Sequence, residues 1–195
     1  MRAGSFMHSH WQEAIAVIAG LIYVVLILRR NRWGWVAGAC SSSIYILISA
    51  RAKLPMQSLL QAYYVVMAVY GWFSWKRNAE QEGGRIYRWT LRRHLLTAMT
   101  LLAASALSAQ FLARETQAAW PLLDSFTTWT SLLATWMLAR SVLENWIYWM
   151  CADLIMVCLF VLQGYPYTAG LFFAYTVVSV LGLRSWWLRY KQQAS

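Results

Sequence analysis

Seven apolar runs follow one another along the chain, at residues 11–28, 33–50, 58–75, 94–112, 120–139, 142–162 and 167–187. Each has about the 20 residues that a helix needs to cross ~30 Å of hydrocarbon. Helices apolar on every side need either a large protein interior or a lipid solvent, and 195 residues cannot supply the first. The expected fold class is therefore an all-α integral membrane protein with seven transmembrane helices. Composition agrees: 60% of residues are hydrophobic and 12% charged, where a soluble domain carries about 25% charged residues.

The net charge of +10 could suggest a nucleic-acid partner. Its distribution excludes that reading, because the Lys and Arg sit in short clusters between apolar runs, such as "RRNR" (29–32) and "KRNAEQEGGRIYRWTLRR" (76–93). With the N-terminus outside, the cytoplasmic side holds Arg29, Arg30, Arg32, Lys76, Arg77, Arg85, Arg88, Arg92, Arg93, Arg140, Arg184, Arg189 and Lys191. The outer side keeps only Arg2, Arg51, Lys53 and Arg114. The positive-inside rule then predicts a multi-pass protein of a bacterial inner membrane, N-terminus out and C-terminus cytoplasmic. No cleavable signal peptide is evident, since the first apolar run is long enough to stay. Cys40, Cys151 and Cys158 lie in apolar segments and read as small packing residues. His8 and His10 fall in a polar N-terminal stretch that reads as unstructured.

Shifting the sequence against itself by 111 residues aligns its two ends without a gap. Arg29 meets Arg140, Trp35 meets Trp146, Cys40 meets Cys151, Pro55 meets Pro166 and Tyr64 meets Tyr175. "GWFSW" (71–75) meets "GLRSW" (182–186), and the 63 pairs from Glu13 to Trp75 hold 13 identities in one register. The reading is a 3+1+3 parallel repeat: residues 11–75, a linker with the fourth helix at 76–119, and residues 120–187. Transporters built from such repeats hold substrate near the midplane between halves and alternate access by rocking one against the other. A channel or passive scaffold made by duplication is the plainer alternative.

Glu13, Asp124 and Glu144 open predicted helices, where a carboxylate complements the helix dipole. Asp153 differs, because it falls near the middle of the sixth run, where an ionisable group is costly and marks a pathway or a partner. In "ENWIYWMCAD" (144–153), Asn145, Trp149 and Asp153 are four apart, and Trp146 lies on the same face as Trp149 and Asp153. An amide, two indoles and a carboxylate suit a flat cationic heterocycle, through stacking, cation–π attraction and counter-charge. Interfacial anchoring explains Trp146 as well, but not Asp153. The second helix adds Ser41 and Ser42, which the shift pairs with Ala152 and Asp153, although small residues also serve close helix packing. Gln57, Gln61 and Tyr64 share a face of the third helix, and Tyr175 answers Tyr64 in the seventh. Trp72 and Trp75 read as anchors and packing. Motifs for an enzyme, a resident metal or a cofactor are missing from the sequence.

"LLQAYYVVMAVYGWFSW" (59–75), "LENWIYWMCAD" (143–153), "GLRSW" (182–186) and "WQEAIAVIAGLIYVVL" (11–26) resemble the PnuC family of bacterial vitamin transporters. The likeness runs in order through nearly the whole chain. It implies the 3+1+3 fold, related in architecture to the SWEET sugar transporters. It also implies facilitated diffusion of a B-type vitamin, classically nicotinamide riboside, with thiamine and riboflavin in related members. A cytoplasmic kinase that traps the product, and a homotrimer, are further implications. Trp146 and Trp149 match the family's Trp-x-x-Trp, Asn145 its preceding Asn, and Gln61 its third-helix Gln. Where nicotinamide riboside members carry an Asn in helices two and six, this chain has Ser41 and Asp153. An ionised Asp accepts but cannot donate, which suits the aminopyrimidine and thiazolium of thiamine and tilts the expectation that way. Nicotinamide riboside and riboflavin remain the alternatives. Outside vitamin transport stand a sugar carrier, a membrane sensor that binds without transport, and an intramembrane enzyme built on Asp153.

Overall fold

The computed structural model describes residues 3–51, 55–115 and 120–194. They form seven helices: α1 (Ala3–Leu28), α2 (Trp33–Arg51), α3 (Pro55–Glu82), α4 (Leu91–Glu115), α5 (Pro121–Ala139), α6 (Asn145–Leu162) and α7 (Pro166–Ala194). Arg2 and Lys53, both used to orient the chain, lie outside the described residues, and of Glu13 only the helical backbone is described.

Helix ends depart from the expectation where local chemistry favours continuation. His8 and His10 lie within α1, not in an unstructured stretch. The third helix continues to Glu82, because "KRNAEQE" is rich in helix formers and Lys76 pairs with Glu80 one turn on at 4.0 Å. It stops at Gly83 and Gly84, whose φ angles of 61° and 79° a side chain would resist. The sixth helix starts at Asn145 rather than at residue 142.

Among the described residues, four helices are long and apolar enough to cross a membrane: Trp33–Arg51, Leu91–Arg114, Asn145–Leu162 and Pro166–Gln193. Ala14–Leu28 is a shorter apolar helix. Rings and hydroxyls dilute α3 ("AYYVVMAVYGWFSW") and α5 ("TTWTS"). In the four spans only 17–28% of the residues are buried by protein, so most of their apolar surface requires lipid. Cys40, Cys151 and Cys158 are exposed, not packed as small residues in the interior.

The chain divides into two compact units, Met1–Arg85 and Ile86–Ser195. In the first, α2 packs against both α1 and α3. In the second, α4 packs on α5, α5 on α6 and α6 on α7.

The turn after α1 and the turn after α5 are closed by the same two hydrogen bonds. The Arg30 N–H donates to the Ile27 carbonyl at 2.9 Å and the Asn31 N–H to that of Leu26 at 2.8 Å. Likewise the Ser141 N–H donates to Leu138 at 3.0 Å and the Val142 N–H to Met137 at 2.9 Å. Arg30 (φ 55°) and Ser141 (φ 57°) are the non-glycine residues with positive φ among the described residues. Each sits at the left-handed position of a Schellman cap, which satisfies the last carbonyls of the preceding helix. A left-handed residue other than glycine costs about 1–2 kcal/mol, so these tight connections are held by what surrounds them.

Candidate functional site

In the second unit Trp146 points at α7. It is 5% exposed and stands edge-on to Trp186, with centroids 5.6 Å apart at 85°. A Cβ on Gly182 would lie 2.5 Å from its ring, so only glycine admits this contact. The first unit holds a matching contact: Trp35 stands edge-on to Trp75 at 5.4 Å and 83°, and a Cβ on Gly71 would enter its ring. Both indole N–H groups are buried without a hydrogen-bond partner. Trp72 meets Trp33 edge-on at 5.0 Å, and the guanidiniums of Arg32 and Arg30 lie over Trp72 and Trp75.

Asp153 is the ninth of the eighteen residues of α6 and only 5% exposed. No hydrogen bond or ion pair engages it among the described residues. It lies seven residues beyond Trp146, so it shares that face two turns deeper. A turn of three residues joins α6 to α7, which makes them antiparallel neighbours. The Trp146–Gly182–Trp186 contact then sets a register that brings Asp153 to the level of Thr176 and Ser179. Both are buried, and the Thr176 hydroxyl donates to the Phe172 carbonyl of its own helix at 3.1 Å. These two hydroxyls were not singled out in the sequence; their spacing of three in "YTVVSV" was the available signal.

The remaining predicted residues have distinct settings. Asn145 is fully buried, and its Nδ2 donates to the Val142 carbonyl at 2.6 Å, leaving Oδ1 without a partner. Trp149 is half-buried, and no other aromatic ring packs on it among the described residues. Ser41 donates to the Ala16 carbonyl at 2.8 Å, tying α2 to α1. Ser42 is buried beside it in sequence. Gln61 and Tyr64 are half-buried and Gln57 is exposed. Tyr175 is 43% exposed and meets Phe172 edge-on at 5.9 Å. Asp124 lies exposed in the first turn of α5, where its charge complements the helix dipole.

Glu144 does more than open α6. Its Oε1 accepts from the Arg88 Nε at 2.9 Å and its Oε2 from the Trp89 N–H at 3.2 Å. Next to it the segment before α4 pairs with the α5–α6 turn: the Tyr87 N–H donates to Ser141 at 3.0 Å and the Leu143 N–H to Tyr87 at 2.9 Å. Nothing in the local sequence at 86–89 announces a partner more than 50 residues away. Among the described residues no group of three or more His, Cys, Asp or Glu side chains could hold a metal ion.

Apolar helices that protein leaves mostly uncovered define a multi-pass membrane protein, and one of them buries at mid-span a carboxylate, Asp153, with no partner among the described residues. The family model described as nicotinamide mononucleotide transporter matches residues 10–188. The chain thus belongs to the PnuC family of membrane transporters, which is not a family of enzymes. It is 26% identical to the riboflavin/roseoflavin transporter RibM of Streptomyces davaonensis, over 96% of this chain and 89% of that one. It is also 26% identical to the nicotinamide riboside transporter PnuC of Escherichia coli, over 90% and 84% respectively. The fold matches the crystal structure of the vitamin B3 transporter PnuC, with a TM-score of 0.72 and 22% identity over 93% of this chain and 83% of that one.

Proposed function

We propose that the chain takes up a flat, amino-bearing or cationic B-type vitamin by facilitated diffusion with alternating access. Asp153 carries this reading. A carboxylate buried at mid-span with no protein partner is costly, and a substrate cation or amino group is the partner that would offset the cost. Trp149 supplies the stacking face, since no other ring occupies it, and Thr176 and Ser179 supply hydroxyls at the same depth. Within the first unit Gln61 and Tyr64 are proposed to touch substrate during its passage. Thiamine joins an aminopyrimidine to a permanent cation and is the favoured substrate on the strength of Asp153. The names of the relatives bring nicotinamide riboside, also a cation, and riboflavin, flat but uncharged, as the rivals.

We also read α1–α3 and α5–α7 as two copies of one three-helix unit, with α4 between them in a SWEET-like arrangement. The constant register of 111 residues supports this, as do the two Schellman turns and the two Trp-on-Gly contacts. The Lys and Arg distribution supports an N-terminus outside and a cytoplasmic C-terminus. Assembly as a homotrimer and trapping of the imported vitamin by a cytoplasmic kinase complete the proposal.

Uptake of labelled thiamine, nicotinamide riboside and riboflavin into liposomes holding the purified chain tests it. Saturable flux down a gradient, without ATP or an ion gradient, is the expected outcome. Binding without flux would make the chain a sensor instead.

A further inference from the structure

The second unit holds a cleft of about 390 Å³ between α6 and α7, and Asp153 is not among the residues that line it. Its walls include Ile147, Val180 and Leu183, and its mouth carries Arg88, Arg184 and Trp187. Ile147 and Val180 are each about half exposed, so the apolar part is open to whatever solvates the helices. The charges at the mouth do not cancel. Arg88 is committed to Glu144, which also faces the cleft, at 2.9 Å. Arg184 is exposed and has no hydrogen bond or ion pair among the described residues. The Lys191 ammonium, seven residues past Arg184, lies over the Trp187 ring at 5.7 Å, which leaves Arg184 as the cation without a partner at the mouth among the described residues.

We propose that this cleft is a binding site for an acidic phospholipid, with the phosphate on Arg184 and one acyl chain along Ile147 and Val180. An apolar slot ending in cations and an indole matches the order of a lipid: chain, then interface, then charged head. Indoles favour the headgroup level, and basic pockets between spanning helices hold acidic headgroups. A free phosphate would gain nothing from the Val180 side of the slot. A second copy of the chain would bring another uncommitted Arg184 to the same mouth.

Native mass spectrometry of the full chain in detergent tests the site, with dioleoylphosphatidylglycerol, dioleoylphosphatidylcholine or glycerol phosphate added. The phosphatidylglycerol adduct should exceed the phosphatidylcholine adduct by about 5-fold, the value of one surface cation. Arg184→Gln should remove that preference, Arg184→Lys should keep most of it, and Val180→Trp should fill the slot and lower both adducts. Equal adducts of the two lipids, or a preference that survives Arg184→Gln, would overturn the proposal. So would glycerol phosphate competing as well as the lipid, or a complex of two chains that Val180→Trp abolishes. If Val180→Trp does not fold, the Arg184 pair still decides the question.

Discussion

The Trp146 indole stands edge-on to Trp186 across α6 and α7, over the one residue, Gly182, whose missing side chain makes room for it. Trp35 does the same to Trp75 over Gly71. An edge-to-face pair contributes about 0.5–1.5 kcal/mol beyond its burial, and here it also fixes how closely two helices approach. Replacing either glycine by alanine forces the ring or the backbone to move. Gly71→Ala and Gly182→Ala should each destabilise the fold by about 1–3 kcal/mol, read as a lower melting temperature in detergent. A wild-type melting temperature in both would show that the two rings do not set helix approach.

The two indoles of "WIYW" should separate in their effects. Trp146 is buried against Gly182 and Trp186, so Trp146→Ala should cost about 3–5 kcal/mol of stability. Trp149 is half-buried and free of other rings, so Trp149→Ala should fold normally and lose substrate affinity. Melting curves together with ligand titration on both variants check this. A folded Trp149→Ala protein with full affinity would contradict it.

Glu144 and Arg88 lie 56 residues apart and meet at 2.9 Å, with the Glu144 side chain 7% and the Arg88 side chain 46% exposed. The half-exposed partner discounts the pair toward surface values. A double-mutant cycle through Glu144→Gln and Arg88→Ala should give a coupling of about 1 kcal/mol. Zero coupling would mean that the ion pair adds nothing to the backbone bonds that Tyr87 and Trp89 make here.

The seven helices and the membrane setting of the chain were legible because apolar runs of spanning length have few alternative folds, although only four of the described helices are long and apolar enough to span by themselves. Trp35 and Trp146 were paired by the 111-residue register, and each sits edge-on to a second Trp over a glycine, but that these rings meet those glycines was not legible, and neither were the left-handed turns at Arg30 and Ser141. Helix ends were less legible. The continuation of α3 to Glu82 depends on charged helix formers that, by composition, read as a linker. The Glu144–Arg88 pair was invisible because it joins distant segments, and the carboxylate alone looked like a dipole partner. The stripe Asn145, Trp146, Trp149 and Asp153 looked uniform in sequence. The burial of each separates packing at Trp146 from an unclaimed ring at Trp149, and spacing alone carries no such information.

The central claim is that Asp153 is the counter-charge for a cationic vitamin. Calorimetric titration of the purified chain and of Asp153→Asn with thiamine, nicotinamide riboside and riboflavin tests it most directly. Asn keeps the shape and removes the charge, so affinity for the cationic ligand should fall by about 10-fold or more, the effect of losing a charged hydrogen bond. Unchanged affinity of Asp153→Asn for the same cation would contradict the account. Saturable binding of nicotinamide riboside with thiamine inert would overturn the choice of thiamine alone and leave the counter-charge role of Asp153 to be decided by the Asp153→Asn comparison.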